Sequence, residues 1–390
     1  MTPRELRRML VLIVATLLGI GCVSVYSATA VLSAETGGSS VGFLLHHIGA
    51  IGLGLIVGLA CLAIPYDSLR RAAKPMVVIS AVLVIMVYLF GSEIGGARRW
   101  FRLGRLSIQP SEFAQISLVV YLADYLARKH AMVRDLRDGF VPPMLVTGCL
   151  AGLVLIQPDL GTAIVMGSVA MLLLVVANAR GRHVVLTALL AIVGVAVLIA
   201  GAEYRRRRIL AFLDPWKDPR GVGFQIVQSY LSMAGGGMFG RGLGASMQKL
   251  FYLPGAHTDF IFAVIGEELG LFGCTAVLAL FGLLTACGIR LAQLTEDLFS
   301  KYLIVGCVGL VSLEAIVNMA VVTGLLPTKG LPLPLISYGG TSIVGNIAIC
   351  ALICYGSCRQ PAWRARASTQ RESSTVSTID QPAVAVEVAT

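Results

Sequence analysis

The sequence predicts an all-α polytopic membrane protein with about ten transmembrane helices, and three observations lead to that fold class. Hydrophobic residues make up 56% of the 390 residues, charged residues make up 13%, and the mean hydropathy is +0.83. A soluble globular domain needs more polar surface than this composition supplies. The apolar residues also fall in runs that can span a bilayer. Finally, most basic residues of the short loops fall in every second loop.

Ten apolar segments have the length of a transmembrane helix. They lie near residues 9–31, 42–64, 76–90, 112–127, 141–156, 161–178, 183–201, 259–288, 302–323 and 338–357. The first follows three arginines and resembles a signal peptide, with a faint lipoprotein-type sequence at Gly19–Cys22, but its length favours an uncleaved helix. All nine cysteines lie in or beside these segments, so no disulfide framework and no metal site is predicted.

Basic residues in the short loops predict the orientation. They lie on the same side as the N-terminal arginines, and that side is expected to be cytoplasmic. The loop residues are Arg70, Arg71, Lys74, Arg128, Lys129, Arg134, Arg137, Arg180 and Arg182. Both termini would then be cytoplasmic, with residues 1–358 forming the membrane domain and 359–390 a disordered tail rich in Ser and Thr. Loops 91–111, 202–258 and 323–337 would be external, and the largest precedes the eighth helix.

The junction between the largest external loop and the eighth helix carries the first candidate site residue. Asp259 follows His257 and Thr258 and directly precedes the apolar run Phe260–Phe262. An ionisable residue at the mouth of a membrane span is costly to keep there, which points to a functional site. Thr258 and Asp259 are also good helix-capping residues. The residues alone leave a catalytic role and a capping role open.

The first external loop is unusually basic. It contains Arg98, Arg99, Arg102 and Arg105, although short external loops are normally poor in Lys and Arg. Guanidinium groups suit phosphate oxygens, so a bound anion would explain them. Anchoring to anionic lipid headgroups would explain them equally well.

The third external loop places one cation among prolines. Lys329 lies near Pro327, Pro332 and Pro334, which forbid a regular helix. Irregular backbone near a membrane is tolerated where it lines a cavity, so this loop could bring Lys329 beside Asp259. An ordinary loop with a solvated lysine is the alternative.

The largest external loop and the spans contain further unusual residues. The apolar residues beyond Gly223 predict an amphipathic helix that lies on the membrane. The glycine-rich segment 235–240 suggests a flexible or re-entrant loop. Glu267, Glu268 and Glu314 lie inside spans, where a hydrogen-bonded core role is the alternative to a functional one.

Five segments closely resemble the bacterial SEDS family, which comprises the FtsW, RodA and SpoVE proteins. They are GARRWFRLGRLSIQPSEF (96–113), QPDLGTA (157–163), FLDPWKDPRGVGFQ (212–225), YLPGAHTDFIFAVIGEELG (252–270) and LPTKGLPLPLISYGGTS (326–342). The forms at 256–262 and 326–330 look more like the division branch of the family than the elongation branch. Family members often carry Glu where this chain has Phe251 and Gly255, which puts in doubt any activity control through those two positions.

The resemblance implies a peptidoglycan glycosyltransferase that polymerises lipid II on the outer face of the bacterial cytoplasmic (inner) membrane, at the division septum. It implies that Asp259 is the catalytic aspartate. The substrate-binding residues it implies are Arg98, Arg99, Trp100, Gln109, Ser111, Glu112, His257, Lys329 and Ser337. The implied partners are a class B penicillin-binding transpeptidase, FtsI-like, and other divisome proteins, and no nucleic acid is expected.

The chemistry of the residues fits this implied activity. Transfer of a sugar from a lipid diphosphate to a hydroxyl needs a general base and positive charge at the leaving group, which Asp259 and the external cations can supply. A divalent cation, Mg²⁺ or Mn²⁺, could share the second role. A lipid II flippase, a RodA-type elongation polymerase and a nonenzymatic scaffold remain open alternatives. The position of Asp259 at the mouth, rather than at the midplane, favours the enzyme.

Overall fold

The computed structural model describes residues 1–35, 40–94, 97–103, 106–247 and 255–358. The predicted tail and Phe251 therefore lie outside the described residues. Within those ranges the chain forms twelve α-helices and three short β-strands. The helices are α1 (Pro3–Glu35), α2 (Ser40–Ala63), α3 (Tyr66–Phe90), α4 (Pro110–Arg128), α5 (Val141–Ile156), α6 (Leu160–Val176), α7 (Gly181–Ala200), α8 (Glu203–Leu213), α9 (Phe224–Gly236), α10 (Ile261–Leu294), α11 (Leu298–Val322) and α12 (Gly340–Cys358).

The all-α membrane fold is confirmed, and eight helices of the described residues are long and apolar enough to span a membrane. Two of the ten predicted spans, α4 and α6, do not meet that standard, so the count of ten stays a prediction. Helix α6 has 17 residues. Helix α4 contains Ser111, Gln115, Ser117 and Asp124, all buried. Because α4 packs among α3, α6 and α11, its polar side chains contact protein instead of lipid.

The loops fall at two ends of the helix bundle. Arg7 Nη1 donates to the Ser357 carbonyl over 3.2 Å, so the start of α1 and the end of α12 share one end. At that same end, Arg70 Nε lies 3.1 Å from Asp124 Oδ1. The opposite end carries Asp259 and is called the Asp259 end below. The structure thus groups the loops as the basic residues predict, and which end faces the cytoplasm stays a prediction.

The first loop at the Asp259 end forms a small antiparallel sheet that the sequence patterns did not reveal. Strands β1 (Ser92–Ile94), β2 (Ala97–Leu103) and β3 (Leu106–Ile108) pair in the order β1-β2-β3. Side chains alternate between the two faces of a strand. Arg98 and Arg99 on β2 therefore point to opposite faces of the sheet.

Helix α9 is present where the sequence predicts a helix, but it does not lie on the membrane surface. The Ser229 hydroxyl donates to the Val322 carbonyl over 2.7 Å, and the Ser232 hydroxyl donates to the Ala263 carbonyl over 2.9 Å. These contacts hold α9 alongside the first half of α10. At its end, Gly236 packs directly against the Gly266 carbonyl, where a side chain would not fit. Helix α9 therefore descends into the bundle beside α10, because its serines and glycine fit the α10 backbone.

The glycine-rich segment after α9 is re-entrant. Arg241 N donates to the Glu267 carbonyl and Gly242 N donates to the Glu268 carbonyl, each over 3.0 Å. These carbonyls can accept hydrogen bonds from the segment because α10 is broken at Gly270, which has φ +67° and ψ −164°. Gly270 lies nine residues after the start of α10, or roughly 13 Å along the helix at 1.5 Å per residue. The segment therefore reaches well below the Asp259 end before it returns.

The intramembrane carboxylates hold this arrangement together. Glu267, which is fully buried, accepts hydrogen bonds from the Ser246 hydroxyl over 2.5 Å and from Met247 N over 2.9 Å. It also lies 3.4 Å from Arg241 Nη1. Glu268 accepts from the Ser27 hydroxyl over 2.5 Å. These contacts support the hydrogen-bonded core role for both residues.

Candidate active site at the Asp259 end

Asp259 lies in a tight turn immediately before α10. Thr258 N and Phe260 N both donate to the Gly255 carbonyl, over 3.0 and 3.1 Å. Gly255 has φ +74°, a conformation that favours glycine, which explains why this chain carries no side chain there. Phe260, and not Asp259, occupies the N-cap position of α10, and no side-chain capping bond is present. The geometry therefore does not support the capping role and leaves the Asp259 carboxylate available for other contacts.

Helix α11 fixes the backbone of Asp259. Asn318, which is 1% exposed, donates from Nδ2 to the Asp259 carbonyl over 2.8 Å and to the Leu331 carbonyl over 2.6 Å. One buried amide thus joins the turn before α10 to the proline-rich loop after α11. That loop brings Gly330 against the carboxylate, and a Cβ at this glycine would lie 3.2 Å from Asp259 Oδ2.

A second clamp joins the same two segments. The Ser337 hydroxyl donates to the Thr258 carbonyl over 2.6 Å and accepts from Leu333 N over 2.7 Å. Tyr338 N donates to the His257 carbonyl over 2.9 Å. Because the only proton of the Ser337 hydroxyl is used internally, its geometry fits a positioning role better than contact with substrate.

Arg99 and Arg208, two cations from separate elements, act on Asp259, and Lys329 lies in the adjoining proline-rich loop. Arg99 on β2 donates from Nε to the Gln157 carbonyl over 2.8 Å and from Nη2 to the Pro158 carbonyl over 2.6 Å. Arg208 on α8 donates from Nη1 to the Thr328 carbonyl over 3.2 Å. Lys329 follows Thr328 directly. The predicted proximity of Lys329 to Asp259 is consistent with the contact of the neighbouring Gly330.

The electrostatic environment prepares Asp259 to exchange a proton near neutral pH. Burial is the main cause that raises the pKa of the Asp259 carboxyl, to about 6. The positive charge of Arg208 lowers this pKa, the negative charge of nearby Asp159 raises it, and the positive charge of Arg99 lowers it. The side chain nevertheless stays partly accessible. A carboxylate with this pKa is a suitable general base at physiological pH.

Two other groups at this end have shifted pKa values. Burial lowers the pKa of the Lys329 ammonium, and the carboxylate of Asp159 partly offsets that effect. Burial also lowers the pKa of His257, whose ring lies 5.7 Å from the ring of Tyr338. The site therefore contains a lysine close to the Asp159 carboxylate and a largely neutral imidazole two residues before the catalytic candidate.

Comparison with known proteins gives the family. The model of the FtsW/RodA/SpoVE family, described as cell cycle protein, matches residues 7–358. This chain belongs to that family. The match covers every helix of the structure apart from the first four residues of α1.

Relatives in the family are similar over most of their length. The chain is 42% identical over 337 residues to the probable peptidoglycan glycosyltransferase FtsW of Trichlorobacter lovleyi, covering 86% of this chain and 88% of that protein. It is 40% identical over 337 residues to the stage V sporulation protein E of Bacillus subtilis, covering 86% of this chain and 92% of that protein.

Solved structures of the family share the fold. A chain of a peptidoglycan synthase complex, described as coordinating polymerization and crosslinking, matches with a TM-score of 0.74 and 34% identity, covering 89% of this chain and 96% of that chain. The rod shape determining protein RodA of Thermus thermophilus matches with a TM-score of 0.66 and 29% identity, covering 89% and 95% of the two chains.

Some residues implied by the family resemblance lie apart from Asp259. Arg98 is half exposed and forms a long ion pair, 3.9 Å, with Glu93. Trp100 shares that face of β2, away from Arg99. Arg105 lies outside the described residues. The structure therefore brings Arg99 into contact with the site segments and leaves Arg98 and Trp100 facing elsewhere.

The residues at the start of α4 lie deeper in the bundle. Gln109 is half-buried immediately before α4, and Ser111 is 2% exposed. Glu112 hydrogen-bonds to Ser342 on α12. Its carboxylate also lies at van der Waals distance from Gly345 of the same helix, where a Cβ would be 3.4 Å from Oε2. These contacts connect α4 to α12 below the site.

Sequence reasoning missed four residues that the structure places here: Asp159, Arg208, Asn318 and Gly330. Asp159 lies in the quoted segment 157–163, and its carboxylate caps α6 by accepting from Thr162 N over 3.2 Å. Arg208 lies in the basic run 205–208, which predicts little about orientation because long external loops are exempt from the charge bias. Asn318 and Gly330 gave no signal beyond one polar residue in a span and one glycine in a loop.

Proposed function

We propose that this chain polymerises lipid II into glycan strands at the outer face of the cytoplasmic membrane, with Asp259 as the general base. It is a peptidoglycan glycosyltransferase, the activity named for its FtsW relatives. One observation supports this role of Asp259. Its carboxylate lies between α10 and the Gly330 loop, makes no capping bond to α10, and is influenced by cations on separate elements.

The proposed reaction balances with one protein carboxylate. The acceptor sugar hydroxyl gives its proton to Asp259 as its oxygen attacks the anomeric carbon of the donor sugar. The bond between that carbon and the diphosphate oxygen breaks, and the lipid diphosphate leaves with the electron pair. Arg99 and Lys329 bind the diphosphate and stabilise its developing charge. Asn318 and Ser337 keep the Asp259 turn in register with the Lys329 loop.

The remaining residues take supporting roles in this proposal. His257 lies two residues from the base and presents a largely neutral ring for hydrogen bonding to sugar hydroxyls. Arg98 and Trp100, on the other face of β2, contact headgroups or the outer part of the substrate. Gln109, Ser111 and Glu112 support the floor of the site through the contact between α4 and α12.

A divalent cation is compatible with this donor set. Mg²⁺ is usually bound by one or two carboxylates together with substrate phosphates instead of an all-protein cage. No group of three or more His, Cys, Asp or Glu side chains that could hold a metal occurs among the described residues. Asp159 would hold Mg²⁺ or Mn²⁺ jointly with the diphosphate, and the ion would add positive charge at the leaving group.

We also propose the location and partner. The basic loops at the end that holds both Arg7 and Ser357 support a cytoplasmic location for that end, and with it for both termini. The match to a chain of a peptidoglycan synthase complex supports assembly with a crosslinking class B transpeptidase of the FtsI type. Similarity to FtsW relatives supports a role with the divisome at the septum.

The intramembrane carboxylates argue against a flippase. A translocation path needs charges near the midplane that can contact a passing headgroup. Glu267 and Glu268 instead receive hydrogen bonds from Ser246, Met247 N and Ser27. Glu314 is hydrogen-bonded to Gln115. These partners tie the carboxylates into the helix packing.

Polymerisation by the purified chain tests the proposal. Wild type and Asp259→Asn are compared on lipid II in detergent and in liposomes, with Asp214→Asn as a matched control because Asp214 is an exposed carboxylate in the same loop. Loss of a general base should reduce the rate about 10² to 10⁴-fold, while the control stays at the wild-type rate. Chain formation by Asp259→Asn within a few-fold of wild type would refute the base assignment.

A further inference from the structure

A cavity lined by two arginines and one glutamate opens beside the site, on the α8 side. Its volume is about 580 Å³, within the range of small-molecule sites. Polar and aromatic side chains of α8 form one wall, and the segment before α9 and the backbone beside Lys329 form the others. The residues that line it include Glu203, Tyr204, Arg207, Arg208, Val222, Phe224 and Thr328.

The cavity lies at the level where a membrane span ends. Arg205 Nη1 donates to the Leu198 carbonyl over 3.0 Å, which fixes α8 at the end of the exposed apolar helix α7. Val222 is 41% exposed and, with Phe224, gives the cavity an apolar edge. A ligand with a charged head and a hydrocarbon chain would therefore find both parts accommodated at this position.

Arg208 connects the cavity to the reacting end. Its guanidinium lies 4.5 Å from the centre of the Tyr204 ring and donates once to the Thr328 carbonyl, which orients the side chain and leaves further N–H donors for a ligand. Its charge and that of Arg99 both act on Asp259. Asp259 is thus influenced by cations of two separate elements, each held by backbone carbonyls.

Arg207 can exchange its present ion-pair partner for an anionic ligand. It pairs with Glu203 over 2.5 Å, but both side chains are more than 60% exposed, so the pair is weak and exchangeable. A diphosphate carries more negative charge than one carboxylate and can form bidentate contacts.

We propose that this α8 cavity binds the second lipid-linked diphosphate of the polymerisation reaction. The inference rests on the proposed function, because each glycosidic bond joins two substrates that both carry a polyprenyl diphosphate. Arg99 and Lys329 account for one of them. Arg207 and Arg208 bind the other, with Asp259 between the two sites where the acceptor hydroxyl meets the donor carbon.

Binding of farnesyl diphosphate tests the cavity without requiring catalysis. The full chain in nanodiscs of zwitterionic lipid is titrated with radiolabelled farnesyl diphosphate. Wild type should bind two molecules. The double variant Arg207→Gln/Arg208→Gln and the double variant Arg99→Gln/Lys329→Gln should each retain one, with affinity for the lost site reduced at least tenfold. Arg206→Gln, an exposed cation of the same helix, should retain two.

Three outcomes would overturn the inference. The first is that wild type binds only one molecule, and the second is that the Arg207→Gln/Arg208→Gln variant binds as many molecules as Arg206→Gln. The third is that phosphatidylglycerol displaces the label as effectively as unlabelled farnesyl diphosphate does, which would identify a general headgroup site. Thermal unfolding of each variant verifies folding, and Arg208→Gln alone serves if the double variant is unstable. Asp259→Asn should keep both sites, so a failed base assignment and a failed second site give different results.

Discussion

The backbone of Gly330 approaches the carboxylate of Asp259 so closely that a Cβ at residue 330 would lie 3.2 Å from Oδ2. This separation is tighter than an ordinary van der Waals contact, so a larger residue at this position would require the carboxylate or the loop to shift. The contact joins two segments that are about 70 residues apart and places the loop of Lys329 at the proposed base.

Gly330→Ala should therefore impair catalysis while leaving the fold intact. The added methyl group would displace the Asp259 carboxylate by a few tenths of an ångström and shield it further from water. A misplaced base costs rate, and we expect a loss of roughly tenfold in kcat. Gly148→Ala is the matched control, because a Cβ there meets no atom within 4 Å. The measurement is the polymerisation rate of each variant. Equal rates for the two variants would show that the contact between Gly330 and Asp259 does not affect catalysis.

The pH dependence of polymerisation should follow Asp259. A base must be unprotonated to act, so with a pKa of about 6 the rate should rise as pH increases through 6 and level off above 7. Gly330→Ala should move this rise to higher pH because it increases burial of the carboxyl. Rates measured between pH 5 and 8 under saturating lipid II test the profile, and a flat profile across that range would contradict it.

The same pKa predicts a stability difference with a defined sign. Because the folded-state pKa is above the usual value for Asp, stability from protonated Asp259 is present below about pH 4 and is lost as pH rises through 6. Asn cannot ionise, so Asp259→Asn removes this pH-dependent loss of folding stability. The variant should therefore gain thermal stability relative to wild type at pH 8 and show a smaller gain at pH 5.

Ser337→Ala should separate positioning from substrate binding. The substitution removes the bond to the Thr258 carbonyl and leaves the amide of Leu333 without its partner. An unsatisfied buried donor costs about 1–3 kcal/mol of folding stability. If Ser337 only holds the turn, kcat should fall with KM for lipid II nearly unchanged. An increase in KM with unchanged kcat would instead show direct substrate contact.

Local sequence patterns predicted the parts of the fold that depend on local properties. Runs of apolar residues located the spanning helices, and Asp259 was found because it directly precedes the apolar run at 260–262. Helix α4, predicted as a span at 112–127, is not apolar enough to count as one, because its polar residues contact neighbouring helices rather than lipid. Its hydropathy reflects tertiary packing, which a window of sequence does not contain.

The site was only partly predictable because its parts come from distant segments. Alternation along β2 separates Arg98 from Arg99, and this depends on a strand that apolar periodicity did not reveal. Asn318 acts by bridging the Asp259 and Leu331 carbonyls, a relationship visible only in three dimensions. The helix beyond Gly223 was predicted correctly as a helix, but its location was wrong because its small and hydroxyl side chains pair with the backbone of α10.

Cysteine labelling should confirm the orientation. In a background without the native cysteines, Trp216→Cys places a thiol at a residue that is 58% exposed at the Asp259 end. Arg134→Cys places one at the opposite end. An impermeant thiol reagent added to intact spheroplasts should label only the first, and lysis should expose the second. Labelling of Arg134→Cys before lysis would reverse the orientation and remove Asp259 from the outer face.

The buried pair between Arg241 and Glu267 should stabilise the re-entrant segment. Arg241→Ala would remove this guanidinium from the Glu267 carboxylate, which is 1% exposed. The cost should be on the order of 2 kcal/mol, less than for a fully buried pair because Arg241 is 44% exposed and because Ser246 and Met247 N still donate to the carboxylate.

The effect should also distinguish a core role from a surface charge. Arg290→Ala is the matched control, since Arg290 is an exposed arginine near the other end of α10 whose only side-chain hydrogen bond among the described residues is to Gln293 in the same helix. Thermal unfolding in detergent should show a lower midpoint for Arg241→Ala and no change for Arg290→Ala. Glu267→Gln should fall between them, because the amide oxygen still accepts hydrogen bonds while the charge of Arg241 loses its partner. Equal midpoints for all three variants and wild type would show that the backbone pairing at the Gly270 break holds the segment without the ion pair.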